Sequence, residues 1–237
     1  MKKKVLLFDL DDTLSEQGSN ISIELVNILN ELSNKYIIGV VSGKSILYLL
    51  SFIRFSNLNP NIFLVGENGG EGIYPSTLPT KYSFTLQNKY EKLFNTKKEY
   101  FINKYQSNIY HQKTQTSLSF CVNQDYDLEL FFNEFKNEFK NEHNLNIYEH
   151  HNDRAIDAIP NSIDKAIGIT KILKDCFNLK LDDCYIYSFG NGSNDIPFFN
   201  ISNEVTIIGN LKYSNKNIPL NRIKEVNNLA DYLKKLF

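Results

Sequence analysis

Three carboxylates crowd the chain just after a short apolar run: Asp9, Asp11 and Asp12 follow residues 5–8 in KKKVLLFDLDDTLS. Like charges that close cost energy unless a cation or a reaction uses them. Other polar clusters recur in the same setting, each after an apolar run: Ser42-Gly43-Lys44, the glycine-rich GENGG at 66–70, and Gly190-Asn191-Gly192-Ser193-Asn194-Asp195. A cation, Lys165, stands near the start of a later helical pattern. These residue types suit phosphoryl chemistry. One carboxylate could attack phosphorus while another, two residues on, serves as general acid and then as base toward water. Hydroxyl and backbone N–H groups suit phosphate oxygens, a lysine offsets charge, and Mg2+ takes hard oxygens from Asp, Asn and backbone carbonyls.

Such residues, far apart in sequence, need a scaffold that gathers them. Residues 5–10 read as a buried strand and 22–32 as a helix, with Ile21, Leu25, Ile28, Leu29 and Leu32 on one face. Strand 36–41, helix 45–55 and strand 62–65 continue the alternation. Strands apolar almost throughout argue for a parallel sheet covered on both sides, and ligands in open α/β sheets bind beyond the carboxyl ends of the strands. After Gly72 the character changes: Pro75 and Pro79 interrupt, and Lys, Glu, Asn and aromatics become abundant. Helices are expected at 90–94, 99–105 and 127–142, and strands at 117–122, 145–148 and 154–159. The long helix has Leu128, Phe131, Phe132, Phe135 and Phe139 at helical spacing. This stretch reads as a small α+β insertion ending near Pro160. Helix 163–173, strand 184–189, short helix 196–199, strand 204–208 and a closing helical element within 225–236 then restore the first pattern.

The chain has 237 residues with a formal net charge of −1. That suffices for a core domain carrying a smaller one and gives no overall reason to expect nucleic acid as a partner. The three cysteines form no CxxC pattern, so a disulfide framework or structural zinc is not expected and a reducing compartment fits. Too few apolar residues precede Asp9 for a signal peptide, and no run approaches a membrane span. The expectation is a cytoplasmic protein, monomeric or weakly dimeric, acting on a small molecule without membrane or nucleic acid.

Asp9-x-Asp11-x-Thr13, Ser42-Gly43 after a strand, Lys165, and the Gly-x-Gly-x-Asn-Asp loop ending at Asp195 stand in the order of the haloacid dehalogenase superfamily of phosphohydrolases, which the sequence resembles. The insertion falls where the subgroup of Cof-type sugar phosphatases, sucrose-phosphate and mannosyl-phosphoglycerate phosphatases and phosphomannomutases carries its α/β cap. The resemblance implies an α/β fold: a Rossmann-like core with a parallel sheet at 1–78 and 160–237, and a cap at 79–159. It implies Asp9 as nucleophile and metal ligand, and Asp11 as general acid/base whose carbonyl meets Mg2+. Ser42, Gly43 and Lys165 would bind the phosphoryl group, with Asn191 and Asp195 at the metal. Lys44, Asn68, Arg154 and Asn194 would touch the substrate or support the site. The implied activity is Mg-dependent hydrolysis of a phosphomonoester such as a sugar phosphate.

Asn191 departs from the pattern, where the family places an aspartate. A neutral ligand predicts weaker magnesium binding, and leaves open a catalytically impaired relative that binds phosphate or protein. A phosphomannomutase-like isomerase is the other alternative, disfavoured by the scarcity of arginine in the insertion. Several residues also have plain structural readings. Asp12 is read as loop structure, GENGG as a turn, and Lys44 and Arg154 as groups that could equally face solvent.

Overall fold

The computed structural model describes residues 2–75 and 80–237, and divides into two compact units: Met1–Ser83 with Asp164–Phe237, and Phe84–Ile163. The boundary expected at 78/79, with Pro79, lies outside the described residues.

In the first unit β1 (Lys3–Phe8), α1 (Ile23–Ser33), β2 (Ile37–Val41), α2 (Ile46–Phe55) and β3 (Phe63–Gly66) follow the apolar alternation closely. Ser22 and Ser45 start the two helices, their hydroxyls accepting from the backbone N–H of Leu25 and Tyr48. Two strands escape sequence reading: β4 (Glu71–Tyr74) and β5 (Thr80–Ser83) pair antiparallel with β3 and with each other. Their short, mixed sequences carry no clear period, and β4 holds its register through Gly72, where a Cβ would lie 2.2 Å from the Tyr82 ring.

The second unit contains α3 (Asn88–Tyr105), β6 (Ile109–Gln112), β7 (Leu118–Val122), α4 (Leu128–Glu138), β8 (Leu145–His150) and β9 (Ala155–Pro160). The four strands form an antiparallel sheet in the order β6-β7-β9-β8. The two short helices expected at 90–94 and 99–105 are one helix, α3: Tyr90, Phe94, Phe101 and Tyr105 share its buried side. The polar stretch between them stays helical, and Lys97 within it pairs with Glu138 of α4 at 2.6 Å. Conversely α4 is shorter than its pattern, because after Glu138 the chain tightens into turns in which Lys140 N–H bonds the Asn137 carbonyl. Phe101 anchors this unit, packing against Phe120, Phe131 and Phe135 with ring centroids 5.2–5.6 Å apart.

The chain returns to the first unit through α5 (Lys165–Phe177), β10 (Cys184–Gly190), α6 (Ile196–Asn200), β11 (Glu204–Ile208), β12 (Leu220–Ile223) and α7 (Leu229–Leu236). Its sheet runs β12-β11-β10-β1-β2-β3-β4-β5, parallel from β12 to β3. β1 therefore lies between β2, which follows it, and β10, which arrives after the insertion. Strand order reverses at β1, and the crevice beyond the carboxyl end of such a strand is where α/β sheets take ligands. Among the described residues no helix is long and apolar enough to cross a membrane.

Glu134 on α4 ties the second unit's two helices together. Its carboxylate accepts from the hydroxyls of Tyr100 at 2.7 Å and Tyr105 at 2.6 Å and pairs with Lys104 at 2.5 Å. Partial burial pushes its pKa up, but the three donors outweigh that and hold it below its ordinary value. A carboxylate depressed on folding stabilises above its unfolded pKa, and that contribution fades as pH falls through the folded pKa. Glu134→Gln should therefore lower the thermal midpoint at about pH 7, and the gap from wild type should close toward about pH 3. A gap of constant size across that range would show that ionisation of Glu134 plays no part.

Candidate active site

Each strand-end cluster named in the sequence, apart from Arg154, belongs to the first unit. Asp9 follows β1 directly, its N–H bonded to the Phe189 carbonyl of β10 at 2.9 Å. Its carboxylate meets the ammonium of Lys165, the first residue of α5, at 2.6 Å; the same ammonium lies 2.6 Å from Asp195. All three side chains are buried, Lys165 and Asp195 completely. Burial, reinforced by the neighbouring Asp195, raises the Asp9 carboxyl well above the usual carboxylate range despite Lys165. For Lys165, burial favours the neutral amine, but Asp195 and Asp9 outweigh it and hold the group charged.

The loop after β1 separates its acids by geometry. Asp11 projects toward Lys44, whose ammonium is 3.5 Å away and also lies 6.0 Å from the Tyr48 ring centroid. Asp12 takes a left-handed backbone, φ 54°, and its side chain accepts from Gln17 N–H at 3.2 Å, which makes it a loop residue as expected. Thr13, fully buried, donates its hydroxyl to the Asn191 amide oxygen at 3.3 Å. Beyond β2, Ser42 N–H bonds the Val65 carbonyl and the Ser42 hydroxyl accepts from Lys44 N–H at 3.1 Å, forming a tight turn.

Asp195 has a role that the sequence did not disclose. One oxygen meets Lys165; the other accepts from the backbone N–H groups of both Asn191 and Gly192, each at 2.9 Å. Gly190 permits this, since a Cβ there would lie 2.5 Å from that second oxygen. Its carboxylate thus holds Lys165 and the 190–195 loop in place, and it keeps lone pairs for the expected metal contact, direct or through water. The contact between Gly69, within GENGG, and Asp164, at the helix start, is what the sequence did not disclose: a Cβ on Gly69 would fall 1.9 Å from the Asp164 carbonyl oxygen, and Asp164 caps α5 through the Ile167 N–H at 2.7 Å. The only sequence signals were a glycine and an ordinary helix cap.

Arg154 belongs to the second unit, where its guanidinium donates to the carbonyls of Val122, Asn123 and Tyr126 at 3.2, 2.8 and 2.6 Å. Through its Nε and one terminal nitrogen it braces the loop after β7. His151 pairs with Glu129 and Glu149, and His150 with Asp157. Among the described residues no three His, Cys, Asp or Glu side chains are grouped to hold a metal.

A magnesium ion fits the first unit's cluster by donor chemistry and charge. Asp9, Asp11 and Asp195 bring three carboxylates against the two ammonium groups of Lys44 and Lys165. Burial first, and the neighbouring Asp195 second, raise Asp9, and a divalent ion would favour its charged form. Asp9, the Asp11 carbonyl and the Asn191 amide oxygen are hard ligands of the kind magnesium accepts.

The chain matches the haloacid dehalogenase-like hydrolase family over residues 71–230. No curated protein matches it in sequence. Among solved structures it resembles a haloacid dehalogenase-like hydrolase from Bacteroides thetaiotaomicron, at 17% identity and TM-score 0.72 over 100% of both chains. It also resembles the C-terminal domain of C. albicans trehalose-6-phosphate phosphatase, at 17% identity and TM-score 0.71 over 99% of this chain and 92% of that one. A third likeness is to N-terminally truncated, IMP-bound Plasmodium falciparum IMP-nucleotidase, at 17% identity and TM-score 0.63 over 99% of this chain and 68% of the other. At these identities the likeness is one of fold.

Removing one partner of a buried ion pair leaves an uncompensated charge, at a cost of about 3–5 kcal/mol. Lys165→Met should therefore lower the urea midpoint markedly at neutral pH, and adding Asp195→Asn should recover part of the loss. An unchanged midpoint in Lys165→Met would show that the ammonium does not hold these strand ends together.

Proposed function

The chain belongs to the haloacid dehalogenase-like hydrolase family, and from that premise we propose that it hydrolyses a small phosphomonoester through an aspartyl-phosphate on Asp9. The observation that carries the reading is the enclosed Lys165 ammonium, 2.6 Å from the Asp9 carboxylate, at the carboxyl end of the central strand. A cation there lowers the repulsion between carboxylate and phosphate and stabilises charge on the transferring group.

In this reading the Asp9 carboxylate attacks phosphorus in line and the phosphorus–oxygen bond to the leaving group breaks. Asp11 gives its proton to the departing alkoxide, then takes one from the water that cleaves the acyl phosphate. The Ser42 hydroxyl and Gly43 N–H, in the turn held by Lys44 N–H, receive phosphoryl oxygens. Lys44, beside Asp11, holds that carboxyl near the leaving group. Bound through Asp9, the Asp11 carbonyl and Asn191, Mg2+ would supply charge neutralisation for the phosphate.

We assign the substrate to sugar phosphates or related metabolites and leaving-group selection to the second unit. The phosphatase and nucleotidase named among the structural likenesses support a phosphate ester. The free cysteines Cys121, Cys176 and Cys184 support a reducing, cytoplasmic setting. A mutase loses its best anchor for a second phosphate with Arg154 engaged on backbone carbonyls.

Hydrolysis of a panel of phosphate esters, with and without Mg2+, tests the proposal. Turnover should require magnesium and vanish in Asp9→Ala; equal turnover in wild type and Asp9→Ala would sink it. Asn191→Asp adds a charged ligand and should lower the magnesium concentration for half-maximal activity roughly tenfold. Activity appearing only in Asn191→Asp would favour the impaired relative.

A further inference from the structure

The turn after β3 is strained in a way that its structural role alone does not require. Glu67 and Asn68 both take left-handed backbones, φ 50° and 51°, and Gly69 follows at φ 107°. Asparagine tolerates this region better than most residues; glutamate does not. Such outliers persist where the surroundings over-determine them, and they gather at functional sites. Glu67 and Asn68 are also almost wholly buried, at 1% and 3% exposure.

What surrounds this turn is the candidate active site. Glu67 N–H bonds the Lys44 carbonyl at 2.9 Å and Asn68 N–H bonds the Ser42 carbonyl at 3.0 Å, so the turn is stitched to the phosphate-binding loop. The Asn68 side-chain oxygen accepts from the Asn194 amide at 2.9 Å, reaching the loop that carries Asn191 and Asp195. Its amide nitrogen lies against Gly43, only 3.1 Å from where a Cβ would be. Gly69 meets the start of α5 at Asp164, and Tyr82 donates its hydroxyl to the Gly69 carbonyl at 3.2 Å. Three consecutive residues thus touch the three segments that bear Ser42, Lys165 and Asp195.

We propose that Asn68 is a positioning residue: through Asn194 it fixes the spacing between the Ser42–Gly43 phosphate turn and the 190–195 loop, and so sets how tightly the site grips a phosphoryl group. This rests on the phosphatase reading above and deepens it. The left-handed backbone is what aims the side chain across the gap.

Asn68→Gly keeps the backbone and removes the amide, whereas Asn68→Ala also strains the turn. Affinity for inorganic phosphate by titration calorimetry, and kcat and KM for p-nitrophenyl phosphate, should be measured beside thermal midpoints. Asn68→Gly should bind phosphate roughly tenfold more weakly and lose a similar factor in kcat, with KM within about twofold. Asn194→Ala should weaken phosphate binding in the same direction, and the double variant should lose less than the two single losses multiplied, since both variants break the Asn68–Asn194 bond. Should Asn68→Gly fail to fold, Asn194→Ala breaks the same bond from the other side and is decisive alone. Losses that multiply in the double variant, or wild-type phosphate affinity in Asn194→Ala, overturn the proposal. Coupled phosphate binding in a protein that hydrolyses no ester would uphold it and overturn the phosphatase reading instead.

Discussion

One enclosed ammonium between two buried carboxylates organises the first unit. Burying three charged groups is expensive, and mutual attraction compensates only when the geometry is close and the remaining lone pairs are satisfied. Both conditions hold: Lys165 is 2.6 Å from Asp9 and from Asp195, and the far oxygen of Asp195 takes two backbone N–H bonds. The arrangement demands that the end of β1, the end of β10 and the start of α5 meet at one point. Adjacent parallel pairing of β1 with β10 brings the first two together. The close approach of Gly69 to Asp164 and of Gly168 to Gly69 seats the third.

The same charge arithmetic governs reactivity. Three carboxylates stand against two ammonium groups, and burial, reinforced by Asp195, makes Asp9 hold its proton more strongly. In the proposed reading, Asp9 so placed is a nucleophile restrained until a further cation arrives. On that reading Asn191 would make the cation's seat one charge poorer than the usual pattern; its amide oxygen accepts from the buried Thr13 hydroxyl.

The inserted unit answers to a different constraint. It has its own aromatic core around Phe101 and its own polar network at the partly buried Glu134, whose partners Tyr100 and Lys104 are exposed. Arg154 illustrates the consequence: a left-handed backbone, φ 49°, turns its side chain onto carbonyls of the same unit. An arginine that looked available in the sequence is engaged locally, because exposed-looking loop carbonyls also need donors.

The sequence by itself determined the alternation of strands and helices in the first unit, the placing of Asp9, Ser42, Lys165 and Asp195 at element ends, and the family. Each of these is a local matter of apolar period, cap or turn residue, legible over a few positions. It misjudged what depends on partners distant in the chain. The β4–β5 hairpin has no period of its own and exists because β3 offers an edge. The two short helices became one because buried neighbours and an ion pair carry α3 through its polar middle. That Asp195 also acts as a brace depends on Lys165, 30 residues away, which meets one oxygen while the other takes N–H groups of its own loop. The strain at Glu67 and Asn68 was invisible for the same reason: only the tertiary structure brings Ser42, Asp164 and Asn194 around one turn, and only their combined contacts can hold a backbone there.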